Sequence, residues 1–260
     1  MTPKARPNKP GASFHKGEGA TPRGAATPEQ AAAYVRTMFG RVAGRYDFLN
    51  HLLSFQLDRS WRRRTIRTLS RILAREGTLI MDVCCGTGDL LLAMESKAKG
   101  SVIGCDFCHP MLLEAQRKSA RKRAYAPLFE ADALRLPLPD NSLDLLTVAF
   151  GFRNLTDYRA GLVEFQRVLK PAGTLAILEF SNPPNFLFRA LYKLYSRFIL
   201  PAVGGAISGA PDAYSYLPES VEKFPEAEKL AATMESVGFT RVRFQRMTFG
   251  VVALHLGLAG

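Results

Sequence analysis

The sequence lacks any run of about 18 uncharged apolar residues, so it predicts no transmembrane helix. Its first residues lack the apolar core of a secretory signal. Cysteine is scarce, with four in 260 residues (Cys84, Cys85, Cys105 and Cys108). That number argues against a disulfide framework in a chain this long and points to a reducing, cytoplasmic compartment. The four histidines form no H-E-x-x-H pair and no visible triad. Acidic residues are also in short supply, 23 against 35 Lys and Arg, for a net charge of +12. The excess lies in the N-terminal tail, in the run Arg59 to Arg71, in Arg117 to Arg123, and at Arg189, Lys193 and Arg197. Such charge admits nucleic acid or an anionic membrane as partner, beside the plainer alternative of solvated helix faces.

What is present is a core and a pattern. Hydrophobic residues make up 47% of the chain, enough for one sizeable domain. Residues 1–28 hold almost no large apolar side chains and read as a disordered basic tail. Thr27-Pro28-Glu29-Gln30 then reads as an N-cap, a first-turn proline and an acidic first turn. Helices are expected from Pro28 to about Val42 and from Asp58 to Glu76. From Thr78 onward strand-like and helical runs alternate. Strands are expected at Thr78–Cys84, Val102–Asp106, Pro127–Glu130, Leu143–Phe150 and Thr174–Phe180. Helices are expected from Asp89, from Pro110 and over Tyr158–Leu169, the last stopped by Lys170-Pro171-Ala172-Gly173. Val242–Thr248 and Val251–Leu258 read as a closing antiparallel hairpin. This alternation predicts a parallel α/β sheet with helices on both faces.

The stretch MDVCCGTGDLL, residues 81 to 91, is a strand, a glycine turn and a helix start. A dinucleotide fingerprint would need a third glycine where Leu91 stands, which weakens a nicotinamide reading. Gly86 and Gly88 let backbone approach a ligand. Asp106 closes the second strand, where a carboxylate binds ribose hydroxyls. Asp132-Ala133 follows the third strand at the same edge, where an acid suits an adenine amino group. Together the three sites fit a nucleoside ligand without pyrophosphate, such as S-adenosylmethionine. The cysteines superficially offer four zinc ligands. Cys84 and Cys105 lie in strands, however, and adjacent residues there point to opposite faces, so they read as small packing side chains and no metal is expected.

These residues resemble the class I S-adenosylmethionine methyltransferases, and more narrowly the UbiE/MenG family of quinone C-methyltransferases. The similarity runs from about Phe39 to Leu258. It rests on Tyr46-Asp47-Phe48-Leu49-Asn50, Asp58-Arg59-Ser60-Trp61-Arg62, Gly86-Thr87-Gly88-Asp89, Phe150-Gly151-Phe152-Arg153-Asn154, Asp157-Tyr158 and Arg167-Val168-Leu169-Lys170-Pro171. Leu178-Glu179-Phe180-Ser181, Tyr214-x-Tyr216-Leu217 and Gly250-Val251-Val252-Ala253-Leu254-His255 extend it. The resemblance implies a Rossmann-like seven-stranded sheet, six strands parallel and one antiparallel, in a single domain over 29–260. It implies a helical cap at 29–76 and a lid at about 183–224. Cofactor contacts fall on Thr87, Asp106, Asp132 and Ala133, beside Gly86 and Gly88. Ala149 stands where some relatives have a cofactor-touching serine, and Ala172 replaces a common glycine, which is expected to be harmless.

The implied reaction moves a methyl group to a ring carbon of a prenylated quinol, demethylmenaquinol or, as the runner-up, a polyprenyl benzoquinol. A quinol carbon becomes nucleophilic when a hydroxyl loses its proton, so a base or a base acting through water is expected. Arg153 and Asn154, with a water and Asp47, are the candidates for polarising the quinol oxygen, and Tyr46 and Asn50 are placed on the cap. The plainer alternative pairs Arg153 with Asp157 to fix a loop. The prenyl tail calls for a membrane surface. Asn185–Leu200 reads as a basic amphipathic helix with Arg189, Lys193 and Arg197 on one face, and Gly204-Gly205 with Gly209 as a mobile gate. No Asn-Pro-Pro-aromatic motif follows the fourth strand, so no nucleic-acid substrate is expected. The oligomeric state is left open, a homodimer included.

Overall fold

The computed structural model describes residues 18–202, 204 and 211–260. One mixed sheet of seven strands forms its centre. In chain order these are β1 (Leu79–Val83), β2 (Ser101–Asp106), β3 (Leu128–Glu130), β4 (Leu143–Ala149), β5 (Leu169–Phe180), β6 (Thr240–Met247) and β7 (Val252–Leu258). The spatial order is β3-β2-β1-β4-β5-β7-β6. β1, β2, β3, β4 and β5 pair in parallel, and β7 runs antiparallel to both β5 and β6. Six strands therefore share one direction and β7 alone opposes it, as expected from the sequence. The chain reverses at β1, with β2 on one side and β4 on the other, and this is the switch point where such sheets bind ligands.

Both faces of the sheet are buried, which is why its strands read as nearly continuous apolar runs. Met81, Leu146, Leu175 and Ile177 face one way, with Phe152, Leu162 and Phe165 over them. Ile80, Leu145, Leu178 and Leu254 face the other, with Leu69, Leu73, Leu90 and Met94 over them. The helices are α1 (Pro28–Val42), α2 (Tyr46–Leu53), α3 (Leu57–Leu73), α4 (Asp89–Glu95), α5 (His109–Lys122), α6 (Tyr158–Val168), α7 (Phe186–Leu194), α8 (Pro211–Lys223) and α9 (Ala227–Ser236). α7 continues into a wider π-type turn over Tyr195–Ile199.

Several boundaries depart from expectation. α2 and α9 have no counterpart in the sequence-based pattern. The Lys170–Gly173 turn is absorbed into β5 as an irregularity opposite Leu143 and Leu145, with Ala172 at φ 61°. That left-handed backbone is strained for alanine, so the missing glycine is not neutral. The composition-based tail ends too late. Glu18 O accepts from Tyr158 N at 2.8 Å, and Ala20 N donates to Leu155 O at 2.7 Å. Backbone hydrogen bonds, which composition does not report, anchor this segment beside the start of α6. Residues 1–17, and Gly205 and Gly209 of the expected gate, lie outside the described residues.

Candidate active site

The glycine turn after β1 takes its shape from left-handed backbone. Cys84, Gly86 and Gly88 have φ of 54°, 55° and 83°. Gly86 opens onto free space, for a Cβ there meets nothing within 4 Å. Gly88 does other work: a Cβ there would lie 3.3 Å from Ala115 Cβ, so this glycine lets α4 start close against α5. Gly86, and not Gly88, lines the cavity beside the turn.

That cavity has a free volume of about 100 Å³. Gly86, Thr87, Asp106, Asp132, Ala133 and Ala149 line it, as does Asn154. Asp106 Oδ2 accepts from Gly86 N at 2.8 Å and Oδ1 from Cys108 N at 2.9 Å, so the second strand end holds the turn. Burial raises the Asp106 pKa to about 6 against these hydrogen bonds. Asp132 Oδ1 accepts from Leu134 N at 2.9 Å. Asp82, which sequence reasoning left without a role, lines the same cavity and accepts from Thr147 Oγ1 at 2.6 Å. Burial lifts its pKa to about 7. An acid near the end of a first strand, two residues before a glycine-turn cysteine pair, was the available signal. Four acids around one small cavity, Asp82, Asp89, Asp106 and Asp132, suit a ligand that carries positive charge and hydroxyls, and S-adenosylmethionine has both.

A second cavity, of about 340 Å³ and mostly apolar, lies alongside. Trp61, Phe150, Phe180, Phe188 and Tyr192 give it aromatic walls, and Tyr214 and Tyr216 of α8 close one side. Trp61 Nε1 donates to Thr248 Oγ1 at 2.8 Å, which fixes the indole against the Phe150 and Phe180 rings. The two cavities share four lining residues: Phe39, Tyr46, Arg62 and Phe150.

Arg153 lines the apolar cavity and is buried. Its Nη1 lies 2.9 Å from Glu179 Oε1 and also donates to Phe150 O, and its Nε donates to Ser220 Oγ at 3.3 Å. Burial is the largest influence and opposes its charge, but the Glu179 carboxylate together with Tyr46 and Tyr216 raises its pKa. The alternative pairing with Asp157 is not what forms, because Asp157 caps α6 by accepting from Ala160 N at 2.8 Å. Glu179 was the missed partner, since nothing in the sequence spacing ties strand β5 to the β4 loop. Asn154 Oδ1 accepts from Tyr216 OH at 3.0 Å, on the cofactor side. Tyr46 is buried, which raises its pKa, with Arg153 pulling in the opposite direction.

Asp47 lines neither cavity. Its carboxylate is taken by the Thr87 hydroxyl at 2.5 Å and by Lys118 Nζ at 2.5 Å. Its carboxylate is thus engaged by the glycine turn and α5. His51, Asp58 and Asp89 bring ligand-type atoms within 4.8 Å of one another. The Arg62 guanidinium already serves that cluster, bonded to Asp58 and 3.5 Å from Asp89.

Comparison with known proteins defines the class. The model of the ubiE/COQ5 methyltransferase family matches residues 27–259, and the chain belongs to that family. Among curated relatives, a demethylmenaquinone methyltransferase of Thermus thermophilus is 48% identical over 221 residues, 85% of this chain and 99% of its own length. One from Deinococcus radiodurans is 44% identical over 224 residues, covering 86% and 91% of the two chains. Among solved structures, a SAM-dependent methyltransferase from Thermotoga maritima superposes with a TM-score of 0.60 at 20% identity, over 86% of this chain and 99% of that one. A SAM dependent methyltransferase from Aquifex aeolicus gives 0.55 at 22% identity, over 75% and 88%. These last two share the fold.

Proposed function

We propose that this enzyme moves a methyl group from S-adenosylmethionine to a ring carbon of demethylmenaquinol, in the formation of menaquinone. The observation that carries the proposal is the shared wall of the two cavities. An acid-lined cavity at the sheet switch point and an aromatic cavity meet at Phe39, Tyr46, Arg62 and Phe150. The names of the relatives favour a naphthoquinol over a benzoquinol.

When bound, the sulfonium cofactor supplies the methyl group, leaving as a neutral thioether. Gly86, Asp82, Asp106, Asp132 and Ala133 would hold it. The chain's own contribution is alignment and charge. Arg153 stays cationic beside Glu179 and would stabilise the oxyanion of the acceptor, which makes its ring carbon nucleophilic. Tyr46 keeps its proton because burial raises its pKa, so it acts as a hydrogen-bond donor and not as a base. Asn154, held by Tyr216, would orient a water between the two cavities. The acceptor's hydroxyl proton would pass to solvent water before transfer, and after the new carbon–carbon bond forms the ring proton would return through water to that oxygen as the ring regains its aromaticity.

A membrane surface as the source of a prenylated acceptor is part of this proposal, with the enzyme peripheral on its cytoplasmic side. Among the described residues no helix is long and apolar enough to cross a membrane. The support lies at the mouth of the aromatic cavity. No residue of α7 is buried, and Phe186, Leu187, Leu191 and Leu194 are exposed there.

The test is methyl transfer from labelled S-adenosylmethionine to chemically reduced demethylmenaquinol in detergent. The oxidised quinone and a polyprenyl benzoquinol are run beside it. Labelled menaquinol from the reduced substrate alone is expected. Turnover of the benzoquinol as well would widen the substrate class, and transfer to neither would remove the quinol from the proposal.

A further inference from the structure

Lys118 and Asp47 line neither cavity, whereas Thr87 and Asp89 of the same cluster line the one beside the glycine turn. Lys118 sits on α5 and has three N–H donors. Its Nζ lies 2.5 Å from Asp47 Oδ2, 2.6 Å from Asp89 Oδ1 and 3.2 Å from Thr87 Oγ1. All three donors are therefore used. Thr87 in turn donates to Asp47 Oδ1 at 2.5 Å, so its hydroxyl both gives and takes a hydrogen bond within the cluster. The threonine's hydrogen is committed to Asp47, and what it offers a ligand is the position of the turn. Three elements meet at this ammonium besides its own helix: α2 through Asp47, the glycine turn through Thr87, and the first turn of α4 through Asp89.

Two further facts give this cluster a consequence. Asp47 is the immediate neighbour of Tyr46, and Tyr46 is one of the four residues on the wall between the cavities. Whatever fixes Asp47 fixes the first turn of α2 and with it the Tyr46 ring. The cavity beside the glycine turn is narrow, with about 100 Å³ of free space. Tyr46 at the start of α2 forms part of its wall, so movement of the α2 cap changes access to it.

We propose that Lys118 is a positioning residue. Through Asp47 and Thr87 it latches the α2 cap onto the glycine turn, setting Tyr46 over the methyl donor and gating cofactor exchange. The ammonium separates two carboxylates, Asp47 and Asp89, that would otherwise repel each other across the seam. Its removal turns attraction into repulsion at the point where cap and turn meet. The cluster is partly open to solvent, with 32% of the Asp47 side chain exposed, so added salt weakens it.

The proposal rests on the two cavities being the cofactor and acceptor sites, and the experiment separates the two ideas. Cofactor affinity is measured by calorimetry on the full chain, and KM and kcat with a short-chain demethylmenaquinol, for wild type, Lys118→Met, Lys118→Arg and Thr87→Val. Lys118→Met is expected to weaken S-adenosylmethionine binding roughly tenfold. The quinol KM stays near the wild-type value, salt dependence of cofactor affinity is lost, and Lys118→Arg recovers most of the affinity. Thr87→Val keeps the side chain's shape while removing its hydroxyl, so it reads the same latch if Lys118→Met fails to fold. Wild-type cofactor affinity and salt dependence in both Lys118→Met and Thr87→Val overturn the latch alone. A wild-type protein that binds no S-adenosylmethionine overturns the cavity assignment beneath it.

Discussion

Arg153 and Glu179 form an ion pair at 2.9 Å in which 4% of one side chain and 1% of the other is exposed. Such a pair is costly to leave half made, because removing one partner strands a buried charge. Glu179 also accepts from the backbone N–H of Arg153 at 3.2 Å, so it sets the loop as well as the guanidinium. Glu179→Gln should therefore lower stability by about 3–5 kcal/mol and depress kcat more than it raises the quinol KM. Chemical denaturation and steady-state kinetics on the same preparation check both parts. An unchanged kcat at reduced stability would mean that the charge on Arg153 is not used in the reaction.

Asp82 predicts a pH dependence with a definite sign. Its folded pKa is raised to about 7 by burial. A carboxyl with a raised folded pKa holds its proton more tightly in the folded state than in the unfolded one. The stability it contributes is fullest at low pH and falls as pH rises from about 4 to about 7. Asp82→Asn removes that dependence while its amide oxygen keeps the Thr147 hydrogen bond. The Tm of the variant relative to wild type should thus rise between about pH 5 and about pH 8, by roughly 2–4 °C per kcal/mol for a chain of this size. Cofactor affinity falls in the same variant. A Tm difference that is flat with pH would show that Asp82 does not titrate in this range.

The sheet and the glycine turn were legible because their signals are local. A strand end followed by two glycines, and acids at the next two strand ends, put Asp106 and Asp132 beside Gly86 without any knowledge of packing. Arg153 and Asn154 were likewise placed at the correct edge of the sheet. What stayed hidden is pairing between distant segments. Asp47 reads as an available base until Lys118 and Thr87 are seen to occupy it. Helical periodicity separated the cations of α7 from its leucines but gave no sign of which face turns outward. Arg189 Nε donates to Pro183 O at 2.7 Å and Lys193 pairs with Glu222 at 3.1 Å, while the leucines face outward. Lys193 is nonetheless as open to solvent as these leucines, with 56% of its side chain exposed, so α7 presents apolar and basic side chains outward together.

Cys84 and Gly151 are linked by shape. Cys84 carries φ 54°, and a Cβ placed on Gly151 would lie 2.3 Å from Cys84 Cβ. Gly151→Ala alone should be strongly destabilising, since both backbones are fixed at strand ends. Cys84→Gly removes the left-handed strain and should stabilise by about 1 kcal/mol. In the Cys84→Gly background the nearest remaining contact to that new Cβ is Cys84 O at 3.5 Å, an ordinary distance. The double variant should then be far more stable than the sum of the two single changes predicts. A double-mutant cycle by urea denaturation measures this, and additive effects would show that the clash is relieved elsewhere.

The apolar rim makes the last prediction. Leu187, Leu191 and Leu194 share a face of α7 at helical spacing, and all three are more than half exposed. Phe55 and Phe249 stand nearby on turns with φ of 52° and 55°, Phe249 against Phe188 and Phe55 against Tyr195. Bulky residues held in left-handed backbone and left in water are doubly unfavourable unless something apolar receives them. Leu187 and Leu194 line neither cavity. Leu187→Ser with Leu194→Ser should cut sedimentation with phosphatidylglycerol vesicles by an order of magnitude or more, at about 1.5–3 kcal/mol per buried side chain. Turnover of a short-chain quinol in detergent should be unaffected, while turnover of a long-chain quinol embedded in vesicles falls with the binding. Equal vesicle binding by wild type and variant would put the membrane contact on another surface.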